Sequence, residues 1–205
     1  GSKAFVSGNP VRPEFLEKES ARDDEATVRV LVFGGSQGAH AINVAMVEAA
    51  SRLAAGPSHL HLVHQTGERD VEMVRAAYRD AGFQAEVEPF LYDMGTRLAA
   101  ADVVVSRAGA TTLAEITAAG KAAILIPLPA ATDDHQRKNA EALAAHGAAE
   151  VVLQRDLTGA ALADRIFALA ADRDRRSRMS AAARTLARPD AAKVIVDRAL
   201  QLVGG

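Results

Sequence analysis

The chain reads as a doubly wound α/β fold, a parallel six-stranded sheet with helices on both faces. Two observations predict it. Six short apolar runs alternate with stretches whose apolar residues recur at helical spacing, the pattern of successive βαβ units joined by right-handed crossovers. The runs are continuously apolar rather than alternating, as strands covered on both faces must be. With 205 residues, 49% of them hydrophobic and 24% charged, the chain can bury a core of the size such a sheet needs.

Residues 1–27 stand outside the pattern. Gly8, Pro10 and Pro13 oppose regular structure, and the run EFLEKESARDDEAT (14–27) is charged, so this segment is expected to be an interdomain connector and amino-terminal arm. The opening Gly-Ser-Lys lacks a methionine and reads as a tag-cleavage scar at 1–2, so the chain is expected to begin partway through a longer protein. The domain proper is then 28–205. VRVLVF (28–33) is the first strand, ended by Gly34-Gly35, and 39–55 the first helix. HLHLVH (59–64) leads into a helix over 68–82, and QAEVEPF (84–90) into one over 93–101. DVVV (102–105) precedes a helix over 111–120, and AAILIP (122–127) one over 133–147. AEVVLQ (149–154) runs into a helical tail from Thr158 onward.

Composition excludes several classes of function. The absence of cysteine removes disulfides, thiolate metal sites and cysteine nucleophiles, and suits a reducing, cytoplasmic setting. A net charge of −2 gives no footprint for a nucleic-acid backbone. No apolar window is long enough to span a bilayer, and the start shows no signal-peptide pattern.

In a doubly wound sheet, ligands bind outside the carboxyl ends of the strands, so the strand-to-helix loops hold the candidate site. The first loop is Gly34-Gly35-Ser36-Gln37-Gly38-Ala39. Its glycines either let a phosphate approach a helix end or serve tight packing of the first crossover. A dinucleotide fingerprint fails, because Ser36 holds the second glycine slot and no acidic residue ends the second strand. The loop 106–111 opens a helix in which Thr112-Leu113-Ala114-Glu115 fits a capping box. The same spacing also suits a ligand site. N–H groups of Ala110, Thr111 and Thr112 would surround a diphosphate, and Glu115 would accept from a ribose diol. Both readings stay open on spacing alone.

The third loop, 127–136, offers Asp133 or Asp134 as an N-cap, with His135 and Gln136 placed to meet a hydroxyl-rich ligand. Neither these residues nor His59, His61 and His64 make a metal set, since the first two of those histidines share a strand face that the third opposes. The arginines 173, 175, 176 and 178, interleaved with aspartate, are expected on a solvated helix face.

Taken together, GNPVR (8–12), GGSQGA (34–39) and RAGATTLAEITAAGKAAILIPLP with DDHQRKNA (107–140) resemble the MurG family, supported by HQTG (64–67) and FLYDM (90–94). That family adds N-acetylglucosamine to the lipid-linked muramyl-pentapeptide of peptidoglycan synthesis, the lipid I to lipid II step. The resemblance covers the carboxyl-terminal, donor-binding half of a two-domain GT-B glycosyltransferase. It implies that Arg12 and the backbone at Leu91 address uracil, and that Ser36 and the helix start Ala110–Ala114, including Leu113, hold the diphosphate. Glu115 would take the ribose hydroxyls, and Gln136 with His135 the sugar hydroxyls. The site would use UDP-N-acetylglucosamine as substrate with no cofactor and no metal. The catalytic base and the acceptor surface would lie in the other half, so this half alone is expected to be inactive. The intact protein would be peripheral on the cytoplasmic face of the bacterial inner membrane. Rival readings are another UDP-sugar enzyme of the GT-B fold, such as a UDP-N-acetylglucosamine 2-epimerase, and a non-catalytic UDP-sugar-binding module. An NAD-dependent oxidoreductase is a more distant one.

Overall fold

The computed structural model describes residues 5–16, 26–35, 37–129 and 134–203. Six strands form one all-parallel sheet: β1 (Val28–Phe33), β2 (Leu60–Gln65), β3 (Ala85–Glu88), β4 (Val103–Ser106), β5 (Ala122–Leu125) and β6 (Ala149–Val151). Their order across the sheet is β3-β2-β1-β4-β5-β6. In register, Val30 faces Leu62 on one side and Val103 on the other. Every expected strand is present, with ends shifted by a few residues.

The helices between strands are α1 (His40–Ala54), α2 (Val71–Asp80), α3 (Met94–Ala100), α4 (Ala110–Ala119) and α5 (His135–Ala145). Two apolar cores result from the alternation of side chains along each strand. Val30, Val32, Val103, Val105 and Ile124 point to the face covered by α1 and α2. Leu31, Phe33, Val104 and Leu125 point to the other, where Leu98, Leu113 and Ile116 meet them. The connector contributes a 3₁₀ turn at Pro13–Phe15, and Phe15 is only 1% exposed within this second core. Residues 5–16 are therefore partly built into the domain.

The expected helical tail is three helices: α6 (Gly159–Ala171), α7 (Arg173–Leu186) and α8 (Ala191–Val203). α6 returns to pack along α1, with the Gly159 N–H donating to Glu48 Oε2 at 2.9 Å. A Cβ on Gly159 would lie 2.6 Å from the backbone nitrogen of Ala49, so only glycine allows that approach. The break after α6 is sharp because Asp172 caps α7, accepting from Arg175 N–H at 2.8 Å. Replacing a capping aspartate with alanine costs roughly 1 kcal/mol. Asp172→Ala should thus lower the urea midpoint by that equivalent with an unchanged m-value. Of the α7 arginines expected on a solvated face, Arg173 and Arg178 are exposed, while Arg175 and Arg176 are half-buried and engaged. Arg176 donates to the Leu169 and Ala170 carbonyls at the end of α6, and Arg175 pairs with Glu150 at 2.9 Å.

Candidate active site at the switch point

β1 and β4 are neighbours, but the chain leaves them in opposite directions, toward β2 and toward β5. The helices that follow start on opposite faces and leave a crevice between their first turns, the place where such sheets bind ligands. A cleft of about 570 Å³ occupies it, bordered by Gly35 and His40 after β1 and by Arg107, Gly109 and Thr112 after β4, with Gln136 and Gln154 beyond. That volume falls within the ordinary range for small-molecule sites, roughly 300–1,000 Å³. A second cleft, about 520 Å³, runs along the sheet under α3. Its Arg97 is already engaged by Glu86 and Asp93, and it sits away from the strand-to-helix loops, so the switch-point cleft is the candidate.

The glycines of the first loop differ in their surroundings. A Cβ on Gly38 (φ +75°) would fall 1.9 Å from the Thr66 carbonyl oxygen, so this glycine locks the loop against the one after β2. Gly35 (φ +90°) has nothing within 4 Å of its Cβ position and opens to the cleft. Ser36 lies outside the described residues.

At the second loop the structure corrects the capping-box reading. The N-cap of α4 is Gly109, not Thr112, and no side chain caps this end. Thr112 is already the third helical residue, so Glu115 sits a full turn too late to reach the cap. The N–H groups of Ala110, Thr111 and Thr112 precede the first intrahelical bond, from Leu113 N–H to the Gly109 carbonyl at 2.9 Å. Beside them a Cβ on Gly109 would meet only the Thr112 hydroxyl, at 3.9 Å. Free N–H groups at a helix end carry the positive end of the helix dipole.

Glu115 is half-buried in the second turn of α4. Burial raises its carboxyl above the ordinary value, the Arg12 guanidinium opposes that rise, and Glu14 adds to it. Arg12 and Glu115 are thus electrostatic neighbours, although separated by about a hundred positions in the chain. Arg12 is held by Glu14 at 3.2 Å and lies over the Phe15 ring, 4.9 Å from its centroid. Leu91 and Leu113 are buried in the same core as Phe15, which leaves only their backbone for a ligand. Ala110 and Thr111 are exposed, and Ala114 is partly so.

Gln136 lines the cleft and ties its rim together. Its Oε1 accepts from the Ala108 N–H at 3.2 Å and the Leu128 N–H at 3.0 Å, which leaves its Nε2 for a ligand. His135 is exposed and is not among the residues that border the cleft. Asp134 occupies the N-cap position of α5 in a left-handed conformation (φ 58°) without capping; its carboxylate instead faces Arg137 at 3.6 Å. Asp133 lies outside the described residues. Three cleft residues, His40, Arg107 and Gln154, escaped the sequence reading. Arg107 donates to the Ile126 carbonyl at 3.0 Å and to Gln154 Oε1 at 2.8 Å, and burial pulls its guanidinium below the ordinary value. The signal for Arg107 and Gln154 was position: each lies just past the carboxyl end of a strand. Among the described residues no three His, Asp or Glu side chains are grouped as a metal would require.

Fold and cleft together define a doubly wound α/β domain with an open cleft at the switch point of its sheet. The chain belongs to the glycosyltransferase family 28 C-terminal domain family, whose pattern matches residues 29–195. It is 48% identical over 198 residues to the UDP-N-acetylglucosamine–N-acetylmuramyl-(pentapeptide) pyrophosphoryl-undecaprenol N-acetylglucosamine transferase of Geotalea daltonii, covering 95% of this chain and 54% of that one. The protein of the same name from Anaeromyxobacter sp. is 48% identical over 204 residues, covering 99% and 54%. The chain therefore spans about half the length of the relatives it matches. The crystal structure of Acinetobacter baumannii MurG superimposes with a TM-score of 0.79 at 36% identity, over 87% of this chain and 53% of that one. A putative UDP-N-acetylglucosamine 2-epimerase from Listeria monocytogenes superimposes with a TM-score of 0.67 over 98% of this chain and 54% of that one, but at 15% identity, which shows the fold alone.

Proposed function

We propose that this chain is the UDP-N-acetylglucosamine-binding half of a glycosyltransferase that passes N-acetylglucosamine to a lipid-linked muramyl-pentapeptide. The observation that carries the reading is the uncapped first turn of α4 opening on the switch-point cleft beside Gly109. The names of relatives at 48% identity supply the substrate class. In this reading the diphosphate lies against the N–H groups of Ala110–Thr112 and the loop containing Ser36. The ribose reaches Glu115, and the uracil reaches Arg12 and the backbone at Leu91. Gln136 addresses the sugar hydroxyls, with His135 beside it in the chain.

Displacement at the anomeric carbon leaves negative charge on the departing UDP. Fixed N–H donors at a helix end stabilise such charge without reorganising, and so without help from a divalent metal. The base that activates the acceptor hydroxyl, and the surface that meets the acceptor, belong in this reading to the half that the relatives carry and this chain does not span. No described helix is long and apolar enough to cross a membrane, which is compatible with a peripheral association of the intact protein at the cytoplasmic face of the membrane.

Calorimetric titration tests the reading. UDP and UDP-N-acetylglucosamine should bind several-fold or more tighter than ADP, and a chelator should leave both affinities unchanged. Equal affinity for ADP and UDP, or binding abolished by the chelator, would overturn it.

A further inference from the structure

His40, the first residue of α1, borders the cleft opposite the end of α4 and plays no part in the roles given above. What holds it is a polar chain that runs back into the core. Asp70 stands at the N-cap of α2 but does not cap it. Its carboxylate is 7% exposed and turns instead toward α1, where Oδ2 accepts from His40 Nδ1 at 2.9 Å and from Asn43 Nδ2 at 2.8 Å. Asn43 Nδ2 also donates to the Thr66 carbonyl at 2.8 Å, so its Oδ1 is the acceptor for His64 Nε2–H at 3.0 Å. That leaves His64 Nδ1 to accept from the Tyr78 hydroxyl at 2.8 Å. Burial pushes His64 down to about 3, so it stays neutral and holds this one tautomer. Every donor direction in the chain is fixed, and it ends at His40.

The consequence at the cleft is specific. Asp70 is held ionised by its hydrogen bonds to Asn43 and His40, against the cost of burial, so the proton between it and His40 sits on Nδ1. The ring therefore turns Nδ1 inward, and its Nε2 edge is the one left for the cleft, with the side chain half exposed. We propose that His40 is a phosphate-contacting residue of the donor site, and that Asp70 is its positioning residue. The inference rests on the UDP-sugar reading given above. With Nδ1–H committed to Asp70, Nε2 can donate to a phosphate oxygen only in the imidazolium form. The other charged groups around the pair are Arg69, 3.8 Å from Asp70 Oδ1, and Arg107 across the cleft; both stay cationic throughout.

Three measurements test this, all on the full chain with UDP-N-acetylglucosamine, whose diphosphate does not titrate near neutrality, and with uridine as the phosphate-free control. His40→Ala should weaken UDP-N-acetylglucosamine by about tenfold, the size expected for one hydrogen bond to a charged group. Uridine affinity should stay the same, which also shows that the variant is folded. His40→Gln, which keeps an N–H donor without the charge, should bind UDP-N-acetylglucosamine more tightly than His40→Ala and more weakly than the wild type. Asp70→Asn should weaken UDP-N-acetylglucosamine but not uridine, because it frees the ring without removing it. If the wild type binds UDP-N-acetylglucosamine well and His40→Ala matches it, or if His40→Gln binds it no better than His40→Ala, the inference falls and the donor-site reading stands. If the wild type binds uridine and UDP-N-acetylglucosamine equally, the donor-site reading falls and takes the inference with it.

Discussion

Gly109→Asp is expected to leave the protein as stable as before, or slightly more so, while weakening UDP at least a hundredfold, about 2.7 kcal/mol. The backbone at Gly109 (φ −65°, ψ 144°) is extended and within reach of any residue. Aspartate is among the preferred N-caps, and its charge complements the helix end. A Cβ there meets nothing closer than the Thr112 hydroxyl at 3.9 Å, so the new side chain has room. The introduced carboxylate would accept from the same N–H groups assigned to the diphosphate and would repel it as well. Thermal melting and calorimetry on one preparation separate the two effects. Retained UDP affinity would mean that the diphosphate does not sit at the end of α4.

Glu115→Gln is expected to weaken UDP by roughly tenfold or more, about 1.4 kcal/mol, with the melting temperature unchanged or slightly raised. A charged acceptor contributes about 1.5–3 kcal/mol per hydrogen bond against about 1 for a neutral one, so a ribose diol should register the lost charge. Stability should not fall, because Glu115 caps nothing. Its folded-state pKa is raised, so whatever it adds to stability is present at low pH and lost as pH rises through that value. At neutral pH the ionised carboxylate is a small burden that glutamine removes. Ligand binding has the opposite sign: UDP affinity should fall as pH drops through the raised Glu115 value, and this dependence should be absent in the variant. With 2′,3′-dideoxy-UDP, wild type and variant should bind about equally poorly. A variant that binds UDP normally but melts several degrees lower would remove Glu115 from the site.

The strands were legible because runs such as VRVLVF and AAILIP carry their burial in their own composition. Even the facing of the second strand was readable, with His61 exposed and His64 buried. Helix ends were less legible. Thr112-Leu113-Ala114-Glu115 satisfies a capping pattern, but Gly109 starts the helix three residues earlier, because the loop after β4 is already extended there. The division of 158–203 into three helices depended on Asp172 acting as a cap, one polar residue within a highly charged stretch. The candidate site was legible where glycines and a helix start coincide. His40, Asp70, Arg107 and Gln154 escaped because their roles depend on partners far along the chain: thirty positions separate His40 from Asp70, and 47 separate Arg107 from Gln154.

The packing of α6 on α1 bears on the order in which the protein can be made. Gly159 and its partner Glu48 are 111 residues apart, so a ribosome releases α1 long before its cover exists. Until then α1 lacks the helix that finally packs along it and meets Glu48 and Ala49 at Gly159. The residues assigned to the donor cleft have nearly all emerged by then, up to Gln136, yet the layer that backs the first loop arrives only with 159–171. Nascent chains of this domain thus pass through a long interval with the site spelled out and its support missing, an interval in which a chaperone or early docking of the other half would matter most.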